Sequence, residues 1–122
     1  MPLILMIDDD LDLLTLTKNS LEEKGYTVKP YSNWEDAEKY LHKNEPDLIM
    51  LDVFMHTHDG LNICNKLKSS GFTRHIPILI LSGFSQLSNS ATEEFGANGF
   101  LAKPFEIKAL LKKIHTILSR KK

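Results

Sequence analysis

Two short stretches of the chain are continuously apolar, and each ends in acid. Leu3–Ile7 runs directly into three aspartates at residues 8–10, and residues 48–51 run into Asp52. Short uninterrupted apolar runs are typical of strands buried on both faces of a sheet. Both runs therefore predict buried strands that deliver carboxylates to the rim of a sheet.

Strand and helix patterns alternate along the whole chain. The clearest helix is the last, in which the apolar residues between Ile107 and Leu118 recur at helical spacing. Further strands are predicted around residues 27–31, 78–81 and 99–101, and further helices within residues 11–24, 33–41, 61–71 and 83–95. Five strands alternating with five helices predict one α/β domain over residues 1–122, with a parallel sheet covered by helices on both faces.

Parallel sheets carry their working site beyond the carboxyl ends of the strands. Residues 8–10 and Asp52 fall there, as do Ser82 after the fourth strand and Lys103 after the fifth. Asp10 or Asp12 is expected to cap the first helix, and Asp10 is left out of the predicted metal set. The others offer carboxylates, a hydroxyl and an ammonium at a single rim.

These groups suit phosphoryl chemistry. Clustered carboxylates are hard oxygen ligands of the kind that Mg²⁺ prefers. The ammonium of Lys103 and the hydroxyl of Ser82 could contact phosphate oxygens, while Asp52, on the central strand, is free to act as nucleophile. The hypothesis is an aspartyl-phosphate formed with Mg²⁺ as cofactor.

Composition narrows the class of protein. The formal net charge is −1, which disfavours a broad nucleic-acid interface. No apolar run approaches the ~20 residues of a membrane span, and no basic region precedes the first apolar run as in a signal peptide. Cys64 is the single cysteine, so it is expected in the core and a reducing compartment fits. We expect a cytoplasmic protein that binds neither nucleic acid nor membrane.

The motifs, taken in order, resemble the receiver domain of two-component response regulators over essentially the whole chain. They are Asp8-Asp9, Asp52 within Leu-Asp-Val-Phe-Met, Asp59-Gly60, Ser82-Gly83, Phe100, and Lys103-Pro104-Phe105. The resemblance implies a flavodoxin-like, doubly wound sheet with strand order 2-1-3-4-5. It also implies a signalling switch, phosphorylated by a histidine kinase or phosphotransfer protein, rather than an enzyme with turnover on a separate substrate.

The resemblance also implies a role for each motif residue. Asp52 would be the phosphoacceptor, and Ser82 and Lys103 would bind the phosphoryl group. Phe100 would be the aromatic switch, relaying the change to the face formed by the fourth helix, fifth strand and fifth helix. The implied metal ligands are Asp8, Asp9, Asp52 and the backbone carbonyl of Phe54, and the Lys103-Pro104 bond would be cis.

Some positions depart from the family or add to it. His56 stands where many members carry proline, and it flanks Thr57 together with His58; both histidines are expected to be solvated. Phe54 and Phe84 border the site in the family, where two rings would restrict water and slow the loss of phosphate. Residues 85–92 contain few strong helix formers, so a fourth helix there should be marginal.

Two alternatives stay open on the sequence. Asp8 and Asp10 offer the Asp-x-Asp pair of a small Mg²⁺-dependent phosphohydrolase of the haloacid-dehalogenase type, although the chain is short for that fold. A binding module with an inactive site is the other, although every chemical position is filled. Without an output domain in these residues, the chain would signal through an unidentified partner protein or belong to a longer regulator.

Overall fold

The computed structural model describes residues 2–55 and 58–120. Five strands form one parallel sheet: β1 (Leu3–Ile7), β2 (Thr27–Tyr31), β3 (Leu48–Asp52), β4 (Ile78–Ser82) and β5 (Gly99–Ala102). Their order is β2-β1-β3-β4-β5, which confirms the predicted doubly wound, flavodoxin-like topology. The strands β1, β3 and β4 occupy the centre, which explains why their sequences are almost wholly apolar.

Helices cover both faces of this sheet: α1 (Leu11–Glu23), α2 (Trp34–Leu41), α3 (Gly60–Ser69) and α4 (Ile107–Arg120). One core cluster packs α2 and α3 against the sheet, and a second packs α1 and α4 against its other face. Each of the first three helices begins at a side-chain cap, namely Asp10, Asn33 and Asp59. Gly25, just after α1, has a φ of +94°, a conformation that residues with a Cβ rarely adopt.

The connection between β4 and β5 differs from the other crossovers. A 3₁₀ turn at Ser85–Leu87 is followed by a π-helical turn at Ser90–Glu94, with no α-helical stretch of normal length. Serine, threonine and asparagine compete with helical hydrogen bonding, as the Thr92 hydroxyl does here by donating to the Ser88 carbonyl. The fourth helix is thus present as one irregular helical segment over residues 85–94, in which the 3₁₀ turn, two α-helical residues and the π turn follow one another.

A two-residue antiparallel pairing of Phe54–Met55 with His58–Asp59 links β3 to α3. His56 and Thr57 lie outside the described residues, so the expectation for His56 has no structural counterpart here. His58 lies within 3.6 Å of the Glu35 carboxylate and is partly exposed. Within the described residues, no helix has the length and apolar character needed to cross a membrane.

Candidate functional site

Asp8 is the first residue after β1, and its carboxylate is completely buried. One oxygen, Oδ1, accepts a hydrogen bond from the Asp10 backbone N–H at 3.0 Å. The other, Oδ2, accepts from the Lys103 ammonium at 2.6 Å. A buried carboxylate is costly unless it is hydrogen-bonded and paired with a charge, and Asp8 has both kinds of partner.

Asp52 ends the central strand β3 and is 7% exposed. Its Oδ1 lies 3.3 Å from the Lys103 ammonium. Burial, and then the neighbouring charge of Asp8, raise the pKa of Asp52 to about 6, against the lowering effect of Lys103. Without a bound metal ion, the carboxylates at this rim therefore bring together more negative charge than Lys103 alone neutralises.

Lys103 reaches both carboxylates because β5 holds its backbone in place. Its N–H donates to the Ser82 carbonyl at 2.7 Å, extending the β4–β5 pairing by one residue. The Lys103-Pro104 peptide bond is cis. Burial alone would lower the pKa of the lysine, but the hydrogen bond from its ammonium to Asp8 and the charges of Asp8 and Asp52 raise it. The ammonium is thus held in its charged form.

Ser82 ends β4, buried beside the same rim. Its hydroxyl oxygen accepts a hydrogen bond from the Phe84 N–H at 3.0 Å, which leaves the hydroxyl proton available to an incoming acceptor. Phe100 lies in β5 opposite Ile80 and is buried in the core cluster that includes α2 and α3. The sheet therefore connects Ser82 and Phe100 through adjacent strands.

Three carboxylates converge at the rim. One oxygen from each of Asp8, Asp9 and Asp52 lies within 4.8 Å of the other two. This set of hard oxygen donors, partly buried and in excess over the local positive charge, fits Mg²⁺. Asp10 does not join it, because its carboxylate accepts from the Leu13 N–H and caps α1.

Phe54 and Phe84 bring two aromatic rings together next to the site. Their centroids are 5.1 Å apart and the ring planes meet at 69°, an edge-to-face contact. Each side chain keeps about half of its surface exposed. From the sequence, these two rings are expected to restrict water together, and the structure adds that they contact each other.

Gly60 has a role that its place in the Asp59-Gly60 turn did not reveal. A Cβ at this position would lie 2.1 Å from the Asp52 carbonyl oxygen and 2.7 Å from the Val53 Cα. The Gly60 N–H also donates to the Val53 carbonyl. Only glycine lets α3 begin this close to the loop that carries Asp52. The signal in the sequence was the glycine at the start of a helix, where a side chain would ordinarily be favoured.

Cys64 is buried in α3, as expected, and burial raises the pKa of its thiol to about 11. Its sulfur lies 3.4 Å from the Phe95 carbonyl. A thiol with so high a pKa is a poor nucleophile at neutral pH. The cysteine is a core residue and takes no part in the rim chemistry.

Comparisons with known proteins agree with the fold described above. Residues 4–115 match the family model described as "Response regulator receiver domain". The DNA-binding dual master transcriptional regulator RpaA of Synechocystis sp. is 33% identical over 98% of this chain, and Response regulator MprA of Mycobacterium leprae is 35% identical over 98%. The chain covers 50% and 52% of these proteins, so it spans about half of their length.

Solved structures show the same architecture. A putative response regulator from Chloroflexus aurantiacus superimposes with a TM-score of 0.90, at 33% identity and 98% coverage of both chains. The chemotaxis response regulator CheY4 of Vibrio cholerae superimposes with a TM-score of 0.87 at 26% identity, covering 96% of this chain and 98% of that one. With the family match over nearly its whole length, the chain belongs to the response regulator receiver domains of two-component signalling.

Proposed function

We propose that this receiver domain takes a phosphoryl group onto Asp52 in a Mg²⁺-dependent transfer from a phosphohistidine of a histidine kinase or phosphotransfer protein. The observation that carries the proposal is the position of Asp52. Its carboxylate ends the central strand, 3.3 Å from the partly buried Lys103 ammonium, and one of its oxygens lies within 4.8 Å of an oxygen of each of two further carboxylates. The domain acts in the cytoplasm as a phosphorylated switch rather than as a classical enzyme.

The transfer conserves atoms and charge in a simple way. A carboxylate oxygen of Asp52 attacks phosphorus, and the bond between phosphorus and the histidine nitrogen breaks. That nitrogen keeps the electron pair, and because the other ring nitrogen carries a proton, the imidazole leaves as neutral histidine. Hydrolysis later adds water oxygen to phosphorus, releases inorganic phosphate and restores the Asp52 carboxylate.

The residues around Asp52 have separate tasks. Lys103 neutralises phosphoryl oxygens, and Asp8, held by the Asp10 N–H, keeps the ammonium directed at the rim. The hydroxyl of Ser82 accepts a hydrogen bond from the Phe84 N–H, so its own proton is free to be donated to a phosphoryl oxygen. Bound by Asp8, Asp9, Asp52 and the Phe54 carbonyl, Mg²⁺ would supply the positive charge that lets an anionic donor approach an anionic acceptor.

Phosphorylation then changes a second face of the domain, and Ser82 and Phe100 relay the change. A hydroxyl drawn toward the phosphoryl group moves the start of the crossover after β4, and Phe100, which is already buried in the core, adjusts its packing to the space this leaves. The affected surface comprises the irregular turns between residues 85 and 94, β5 and α4. Short 3₁₀ and π turns cost less to rearrange than a regular helix, which suits a switch.

The output passes either to a separate partner protein or to a domain outside these residues. The name of RpaA describes that relative as DNA-binding. For this chain we propose that the receiver domain itself does not contact nucleic acid and does not bind membrane.

The geometry does not favour a phosphohydrolase that uses Asp8 and Asp10. Both oxygens of Asp8 already accept hydrogen bonds, one from Lys103 and one from the backbone, and the side chain has no exposed surface. Asp10, the second member of that Asp-x-Asp pair, is committed to capping α1. Asp52 is the more accessible of the two buried carboxylates.

Intact-protein mass spectrometry tests the proposal. The protein is incubated with acetyl phosphate with and without Mg²⁺, and one added phosphate is expected only with the metal. Asp52→Asn should abolish the label, while Asp10→Asn, the matched control at the same rim, should keep it. A label that persists in Asp52→Asn and disappears in Asp10→Asn would overturn the proposal in favour of the phosphohydrolase.

A further inference from the structure

Phe72 lies in the turn that follows α3 and is the most exposed large apolar side chain in the part of the chain that the structure describes. Its exposed fraction is 89%, against 66% for Leu11, which comes next. Such a ring contributes little to the stability of the monomer, whereas its burial against another apolar surface would be favourable. Phe72 is therefore a contact residue in search of a matching surface.

An apolar groove lies beside this ring. Between α2 and α3 is a cavity of about 200 Å³, open to solvent and lined by Trp34, Leu41 and Leu67, with Phe72 at its edge. A second hollow of about 230 Å³ adjoins Leu41 and Phe72. An apolar cavity of ~150 Å³ is large enough to hold a benzene ring. The groove therefore has room for one phenyl ring, and its own Phe72, which is exposed, does not fill it.

Opposite charges flank the groove. Glu38 on α2 and Lys66 on α3 both line it. Neither forms an ion pair with another residue within the described ranges, 2–55 and 58–120. A twofold axis along the groove sets α2 of one copy against α3 of a second copy, so that each Glu38 meets a Lys66. The charges of this surface are thus complementary to those of an identical surface.

We propose that the groove between α2 and α3 is a self-association surface, at which two copies of this chain dock about a twofold axis and each places its Phe72 ring in the groove of the other. The symmetry doubles every contact, so the dimer buries two rings and forms two Glu38–Lys66 pairs. Because the patch is small, we expect a weak dimer, with a dissociation constant on the order of 10 µM to 1 mM. A nucleic acid or an anionic membrane would find no net positive charge between Glu38 and Lys66.

This face is distinct from the phosphorylation rim and from the surface formed by residues 85–94, β5 and α4. None of the residues that line the groove belongs to either. The helices α2 and α3 pack on one side of the sheet, whereas α4 packs on the other. Self-association therefore needs no phosphoryl group on Asp52 and goes beyond the proposed switch.

Sedimentation equilibrium of the unphosphorylated protein, from about 10 µM to about 1 mM, tests the inference. We expect a reversible equilibrium between monomer and dimer. Phe72→Glu should raise the dissociation constant roughly tenfold or more, because it removes the ring and brings a charge to the groove. The matched control Leu16→Glu adds the same charge at an apolar position on α1 that is 65% exposed, and it should change the constant less than about twofold.

Charge reversal tests the pairing across the axis. Glu38→Lys alone and Lys66→Glu alone should each weaken self-association roughly tenfold, since both contacts in the dimer become repulsive. An equimolar mixture of the two variants should associate about as tightly as the wild type, because in the mixed dimer each contact again joins opposite charges.

A protein that stays monomeric at the highest concentration would overturn the inference, and so would equal weakening by Phe72→Glu and Leu16→Glu. A mixture that associates no better than either charge variant alone would overturn it as well. The measurement needs no phosphoryl donor, so a monomeric protein that is still phosphorylated on Asp52 would remove this inference and leave the proposed function intact.

Discussion

Replacing Asp52 by asparagine should stabilise the metal-free, unphosphorylated domain, although it removes the phosphoacceptor. Burial and the charge of Asp8 raise the pKa of Asp52 from 3.8 to about 6. Each unit of such a shift corresponds to ~1.4 kcal/mol, so keeping Asp52 ionised costs the folded state up to about 3 kcal/mol. Asparagine does not ionise and avoids this cost.

Because folding raises the pKa of Asp52, the stabilisation gained by Asp52→Asn should depend on pH. Between pH 3.8 and about 6 the folded state holds a proton on Asp52 that the unfolded state has lost. The contribution of Asp52 to stability therefore falls as pH rises through this window and is constant above it. The advantage of Asp52→Asn should be near zero around pH 4 and reach up to about 3 kcal/mol near neutrality.

Urea unfolding of both proteins in the presence of a chelator measures this difference. Asp12→Asn, which removes an exposed carboxylate from the first turn of α1, should be neutral or slightly destabilising. Added Mg²⁺ should narrow the gap, because it binds the wild-type carboxylates more tightly. A variant no more stable than wild type near neutrality, or an advantage that does not depend on pH, would refute the reasoning.

Three further predictions follow from individual contacts. Phe54→Ala with Phe84→Ala should admit water and shorten the lifetime of the phosphorylated protein severalfold, as measured by the loss of radiolabelled phosphate. The control Phe72→Ala, at an exposed ring elsewhere, should have no effect. An unchanged or longer lifetime of the double variant would contradict this prediction. Gly60→Ala should cost about 2–3 kcal/mol in urea unfolding because its Cβ meets backbone atoms, whereas Gly71→Ala meets nothing within 4 Å and should cost less than about 1 kcal/mol. Amides of residues 85–94 should exchange hydrogen faster than those of Ile107–Arg120; equal protection would contradict a marginal fourth crossover.

The sheet and the side chains that gather at its carboxyl edge could be predicted from the sequence. Uninterrupted apolar runs identified the central strands, and the acids that follow them identified Asp8 and Asp52. The reason is physical: a strand buried on both faces must be apolar throughout, and in a parallel sheet every carboxyl end lies at one edge. The sequence left the cap of the first helix to Asp10 or Asp12, and the structure assigns it to Asp10.

Contacts between residues far apart in the sequence could not be predicted from these patterns. That Lys103 bonds to Asp8 at 2.6 Å and approaches Asp52 less closely depends on how β5 pairs with β4. The close approach of Gly60 to the Asp52 carbonyl depends equally on tertiary packing. The fourth crossover was predicted to be weak, but its division into 3₁₀ and π turns depends on competing local hydrogen bonds that propensities do not resolve.

Asp52 itself is proposed to carry the phosphoryl group, and chemical trapping of the acyl phosphate tests this without any mutation. After incubation with Mg²⁺ and acetyl phosphate, borohydride reduction converts a phosphorylated aspartate to homoserine, which peptide sequencing by mass spectrometry locates. We expect homoserine at position 52, and none there when Mg²⁺ is omitted. Homoserine at position 8, or none at position 52 in a protein that has gained phosphate, would contradict it.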